Sequence, residues 1–222
     1  MAIVVGSSRH VPTEARTRPC PAREDVLGWQ ARDRTGDPAH GRQASLRTMS
    51  WATHGSGRFD PGDFGALGAR CVIEEGVLAF NVAHIFIGDD VYVGHRTTLR
   101  GDTRGELQIG SGAWIGQECY LHSAGGIRIG ARAGIGPRVM VLTSTHRETP
   151  PSAAVLDAPL EFAPVEIGDG CDIGIAAILL PGARIGDDAQ IGAGAVVTGE
   201  IPAGAVAAGV PAKVLRRRGE RL

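Results

Sequence analysis

From Leu67 onward the apolar residues of this chain follow neither a helical period nor simple alternation. They recur every six positions: Ile87, Val93, Leu99; Ile109, Ile115, Leu121; Ile129, Ile135, Val141; then Ile167, Ile173, Leu179, Ile185, Ile191, Val197. A weaker first triplet is Leu67, Ile73, Ala79. Glycine follows many of them, as at Gly88, Gly110, Gly130, Gly168 and Gly186. Four residues after each large aliphatic sits a small or β-branched one, among them Cys71, Thr97, Ala113, Cys119, Cys171 and Ala195. A fixed short period repeated this often predicts a solenoid. Six fits a short strand plus a tight turn, used three times per coil. Stacked coils then pair as parallel strands about 4.8 Å apart. Large side chains fill the narrow interior and small ones sit beside them, with glycine expected to supply the turns.

The interruptions carry as much information as the rhythm. Short insertions separate Ala79 from Ile87, Leu99 from Ile109, and Leu121 from Ile129. Val141 and Ile167 lie 26 positions apart where an unbroken rhythm needs six, so 20 residues are extruded between them. Loops of this length on a compact scaffold are commonly functional. This one, residues 142–166, holds His146, Pro150, Pro151, Asp157, Glu161 and Pro164.

Composition adjusts the picture in three places. The 222 residues carry a net charge of −1, which gives no electrostatic case for nucleic acid or an anionic membrane. No stretch approaches the roughly 18 apolar residues of a membrane span, and the run Ala2–Val5 is too short for a signal peptide. A soluble, cytoplasmic setting is expected. The four cysteines form no CxxC pair, and three occupy the small-residue slot, so they read as core and not as metal ligands. Residues 1–48 hold eight Arg, five acidic residues and no apolar period. They are expected to be a disordered or loosely ordered arm ahead of a working domain over 49–222.

The pattern [LIV]-Gly-x-x-small-x over residues 67–202 resembles the hexapeptide-repeat family of acyltransferases, of the sugar and xenobiotic type. The resemblance implies an all-β fold: a left-handed parallel β-helix of about six coils, with an extruded loop and a short C-terminal cap. "IGPRVMVLTSTHRE" (Ile135–Glu148) resembles that family's catalytic segment and implies that His146 is catalytic. The chemistry agrees. An acceptor hydroxyl or amine must lose a proton as it attacks a thioester, and a neutral imidazole can take it near pH 7. The oxyanion needs donors and the thiolate leaves. Asp157 and Glu161 are candidates to orient the ring.

"GVPAKVLRRR" (Gly209–Arg218) matches the family's ending. The resemblance implies that acetyl-CoA is the co-substrate. Ala193 and Thr198 would lie beside pantetheine, with Lys213 and Arg216 toward the phosphates. Gly199 stands where the family usually has Lys, and Asp172 where it often has Trp. On the acceptor side the chain has Glu118 and His122, which imply contact with a sugar-like small molecule, O- or N-acylated. The family assembles as trimers, so a homotrimer with sites between subunits is expected. Outward Tyr92, Trp114 and Tyr120 are candidates for that interface.

Two rivals compete. "LRGD" (Leu99–Asp102) and Leu121-His122 also resemble γ-class carbonic anhydrases, which hold zinc with three His. Two of those positions are Pro137 and Leu142 here, so no metal is expected and Arg100 with Asp102 reads as a structural ion pair, within a chain or between subunits. The other rival is a non-catalytic scaffold.

Overall fold

The computed structural model describes residues 53–220. The arm expected over residues 1–48 lies outside the described residues. The rest is all-β, with helical structure limited to three 3₁₀ turns. The chain winds through three parallel sheets in strict rotation, one strand on each face per turn. The first face has seven strands, from Ala66–Leu67 through Ile127–Ile129 and Val165–Ile167 to Glu200–Ile201. The second runs from Val72–Ile73 to Ala205–Ala208 and is closed by Lys213–Arg217. The third has six strands, from Leu78–Phe80 through Tyr120–His122 and Met140–Leu142 to Val196–Val197. Seven strands on the first face give seven turns, one more than the sequence suggests. The extra one is Glu200–Ile201 with Ala205–Ala208, where Ile201 follows Val197 by four positions instead of six and the third face is missing.

The register bears out the six-residue pattern. Ile87 pairs with Ile109, Ile109 with Ile129, and Ile129 with Ile167 across the long insertion. Leu99, Leu121, Val141 and Leu179 stack in the same way on the third face. These side chains are buried in one continuous core. Each contributes about 1.5–3 kcal/mol by leaving water.

Glycine supplies several of the turns, as expected, but the one after each aliphatic residue has a different job. A Cβ on Gly110 would lie 2.6 Å from the Ala131 nitrogen, and on Gly130 2.5 Å from the Asp169 nitrogen. The glycine after each aliphatic residue is thus required by close backbone stacking between turns. The left-handed conformation falls two residues later, on Gly112 (φ 72°) and Gly170, but also on Arg132 (φ 54°).

The small slot is buried, and where it is polar it is hydrogen-bonded. Thr97 donates to the Gly116 carbonyl at 2.8 Å and accepts from the Cys119 amide at 3.1 Å. The thiols of Cys71, Cys119 and Cys171 point at carbonyls of the next turn, Gly88, Gly136 and Gly186. Burial pushes the Cys119 thiol up to about 11 and the Cys171 thiol upward as well. All three cysteines are free and buried. We expect them to escape iodoacetamide at about pH 8 in the native protein and to react fully after unfolding. Peptide mass mapping of the labelled chain checks this.

Among the described residues no helix is long and apolar enough to cross a membrane.

Candidate active site

All four insertions emerge along one edge of the solenoid, where the third face turns into the first. Elsewhere the corners are tight turns. This edge carries Asn81–His84, Gly101–Glu106, Ser123–Gly126 and the long loop.

Buried hydroxyls root the loop. Thr143 follows the strand Met140–Leu142. Its side chain donates to the His122 carbonyl at 2.7 Å and accepts from the Gly125 amide at 2.8 Å. One turn below, Ser123 lies within 2.8 Å of the carbonyls of Arg100 and Gly105. The chain then leaves the solenoid as an antiparallel pair, Ser144–His146 against Leu160–Phe162, with His146 opposite Leu160. An Arg147–Glu161 ion pair at 2.8 Å bridges the two strands. The Arg104 guanidinium lies 4.7 Å from the centre of the Phe162 ring and ties the hairpin to an earlier turn.

His146 is half-buried at the end of this strand. Its Nδ1 lies 3.0 Å from the carbonyl oxygen of Ala158, across the loop. A carbonyl only accepts, so Nδ1 carries a proton, and in the neutral ring the lone pair is on Nε2. The orienting group is therefore a main-chain carbonyl and neither acidic candidate. Glu161 is engaged by Arg147, and Asp157 closes a short 3₁₀ turn, Val155–Asp157, that presents the buried Ala158. A backbone acceptor has no signature in a single sequence. The only hint was a loop long enough to fold back.

His122 lies on the third face, one turn before the loop, in register with Arg100 on one side and Leu142 on the other. Burial lowers the pKa of its ring, and the Arg100 charge lowers it further. A histidine with a folded pKa below its unfolded value takes up a proton on unfolding. Its contribution is complete above the ordinary value of 6.5 and is lost as pH falls through the lower folded value. We expect His122→Gln to flatten the fall in melting temperature between about pH 7 and pH 5, measured by calorimetry beside the parent protein.

Within the chain Arg100 does not pair with Asp102. Its guanidinium lies 5.7 Å from the Phe80 ring centre and 3.4 Å from His54 Nδ1, while Asp102 caps the Arg104 amide at 3.0 Å. Two residues apart with a strand end between them, the two side chains leave the chain in different directions. Glu118 sits at the opposite edge of the third face from the loop. Arg96 and Arg138, from the turns on either side, both bond its carboxylate, Arg138 at 2.7 Å. Those bonds hold the carboxyl below the usual carboxylate range. The acid tests as a corner clasp between three turns.

At the far end, Lys213–Arg217 folds back antiparallel on Ala205–Ala208, and the Ala212 amide bonds the Val196 carbonyl at 2.8 Å. Thr198 and Lys213 line one hollow of about 270 Å³ with Gly199 and Ala212. Ala193 is exposed on the preceding turn, and Arg216 Nη1 donates to the Arg217 carbonyl at 3.1 Å. Neither lines that hollow. Among the described residues no three His, Cys, Asp or Glu side chains gather as metal ligands.

Three parallel faces built on a six-residue repeat, with one long loop inserted at an edge, define a hexapeptide-repeat β-solenoid. Residues 164–199 match the family described as "Bacterial transferase hexapeptide (six repeats)". The chain carries hexapeptide repeats and is similar to proteins named as acetyltransferases. A Schizosaccharomyces pombe protein named as an acetyltransferase is 37% identical over 112 residues, covering 50% of this chain and 53% of its own length. The chain thus spans about half the length of that relative. A maltose O-acetyltransferase from Clostridium difficile is 28% identical, with a TM-score of 0.52 and 72% of each chain covered. AntD, an N-acyltransferase from Bacillus cereus solved with dTDP and 3-hydroxybutyryl-CoA, shares the fold at 22% identity. Its TM-score is 0.63, over 71% of this chain and 85% of AntD.

Proposed function

We propose that this protein transfers an acetyl or short acyl group from acetyl-CoA to a hydroxyl or amine of a sugar-like small molecule, with His146 as general base. The observation that carries the reading is the contact between His146 Nδ1 and the Ala158 carbonyl. It fixes the tautomer a base needs. Nε2 takes the acceptor's proton as the oxygen or nitrogen attacks, and the imidazolium that forms keeps its hydrogen bond to Ala158. The hairpin and its hydroxyl root hold the ring in place, so little ordering is left for the moment of reaction.

Acetyl-CoA supplies the acyl group as a thioester, whose thiolate is a good leaving group. The residues assigned to it fit in part. Thr198 and Lys213 share a hollow beside small residues, as a slender pantetheine arm requires. Exposed Lys213 offers a cation to phosphate. Ala193 lies outside that hollow, exposed at the corner before Val196. Arg216 reaches phosphate only if it gives up its bond to the Arg217 carbonyl. The names of the relatives point the same way: acetyltransferases by sequence, and a CoA-bound N-acyltransferase by fold.

For the acceptor side we assign His122, which lies one turn below the loop and is joined to its root through Thr143. We propose that three copies assemble with the site completed between neighbours. Exposed apolar side chains on the third face and the loop, Met140 at 46%, Leu156 at 55% and Val155 at 58%, support such burial. The expected result is acceptor-dependent release of free thiol from acetyl-CoA. The test is a panel of mono- and disaccharides, amino sugars and simple amines. No release above hydrolysis with any of them would leave the scaffold reading standing.

A further inference from the structure

The outward row of the first face holds an ordered set of charges. Arg128, Glu166, Arg184 and Glu200 sit on four successive turns, each in register with the next. All four side chains are exposed and line one open hollow of about 640 Å³. The signs alternate: plus, minus, plus, minus. At its corners the same solenoid pairs stacked opposite charges, as in Arg70 with Asp90 and Arg138 with Glu118. Among the described residues none of these four side chains makes a hydrogen bond or ion pair. Four unpaired charges in alternating order are complementary to their own reverse.

We propose that the first face is a docking surface for a second copy of this chain, with the two solenoid axes antiparallel. A two-fold axis along the strands, passing between Glu166 and Arg184, reverses the ladder. Arg128 then faces Glu200 of the second copy, and Glu166 faces Arg184 of the second copy, each pair occurring twice. A two-fold axis along the solenoid instead sets like charge against like. The charge order therefore selects one orientation. The long arginine side chains of each copy enter the hollow of the other. The ladder spans on the order of 14 Å at about 4.8 Å per turn, so the contact is small and the association weak. This contact is independent of acyl transfer.

The test is sedimentation of the full chain over a wide concentration range. The mass is expected to rise at least twofold with rising concentration. The doubling should weaken at least about tenfold when salt rises to about 1 M, where screening acts within 3 Å. Arg128→Glu sets Glu against Glu at two sites and should weaken doubling about tenfold or more. Arg128→Glu with Glu200→Arg restores opposite signs at both sites and should recover most of the loss. Glu75→Lys, on a corner away from the ladder, should change nothing. A mass that never doubles overturns the proposal. So does doubling insensitive to Arg128→Glu, or a double variant as impaired as the single one.

Discussion

His146→Ala is expected to lower kcat for acyl transfer by about 10²–10⁴-fold, the usual contribution of a positioned general base. KM for acetyl-CoA should change little, because the groups assigned to that substrate lie on the last turns and the tail. The argument rests on protonation and not on proximity alone. With Nδ1 committed to the Ala158 carbonyl, only Nε2 can take a proton, and alanine offers nothing in its place. His146→Asn should lose a comparable factor, because an amide can hydrogen-bond but has no basic lone pair at neutral pH. The melting temperature of both variants should stay close to that of the parent. The ring is half-buried, and the hairpin keeps its Arg147–Glu161 pair and its main-chain register. Steady-state kinetics with thiol detection, alongside a thermal melt, separates lost chemistry from lost folding.

Leu121→Ala is expected to cost about 3–5 kcal/mol, the upper part of the range for such truncations. Leu121 is fully buried between Leu99 and Val141, one turn on either side. In a helical core, neighbours can move in to close part of a cavity. Here the turns above and below are held at a fixed spacing by strand hydrogen bonds, such as Tyr120 to Val139 at 3.0 Å and Thr98 to Cys119 at 2.8 Å. The hole stays open, and every atom around it loses contacts. The same residue precedes His122, whose carbonyl anchors Thr143 at the loop root. Urea unfolding should show the loss, and turnover at low temperature should fall less than stability does.

These two residues mark what was legible in the chain and what was not. Leu121 could be placed from the sequence because a strict period fixes which side chains point inward, and the core of a solenoid is that period stacked on itself. The return of the rhythm at Ile167 could also be read, since Ile129 and Ile167 pair as though nothing lay between them. The role of glycine could not. Whether it serves a turn or a close approach depends on the spacing between turns, and left-handed φ at Glu118 (58°) and Arg138 (60°) shows that the corners manage without it.

The proposed site was legible only where a side chain would carry the chemistry. His146 stands out as a histidine at the root of the one long loop. The carbonyl of Ala158 does not, because any residue supplies the same atom and only the fold-back of the loop delivers it. The clasp of Arg96, Glu118 and Arg138 needs the coil lengths, which the insertions shift from turn to turn. Without them Glu118 looks like a free acid near the loop. Within the chain Arg100 and Asp102 stay unpaired with each other for a related reason. Closeness in sequence at a strand end does not bring two side chains together.

The most direct test of acyl transfer through His146 follows acetyl-CoA and the best acceptor of the panel in one reaction, reading free thiol and the mass of the acceptor together. The parent protein should release one thiol for each acetylated acceptor, with the His146→Ala variant producing neither above background. Equal product formation by that variant, or thiol release with no acetylated acceptor, would contradict the account.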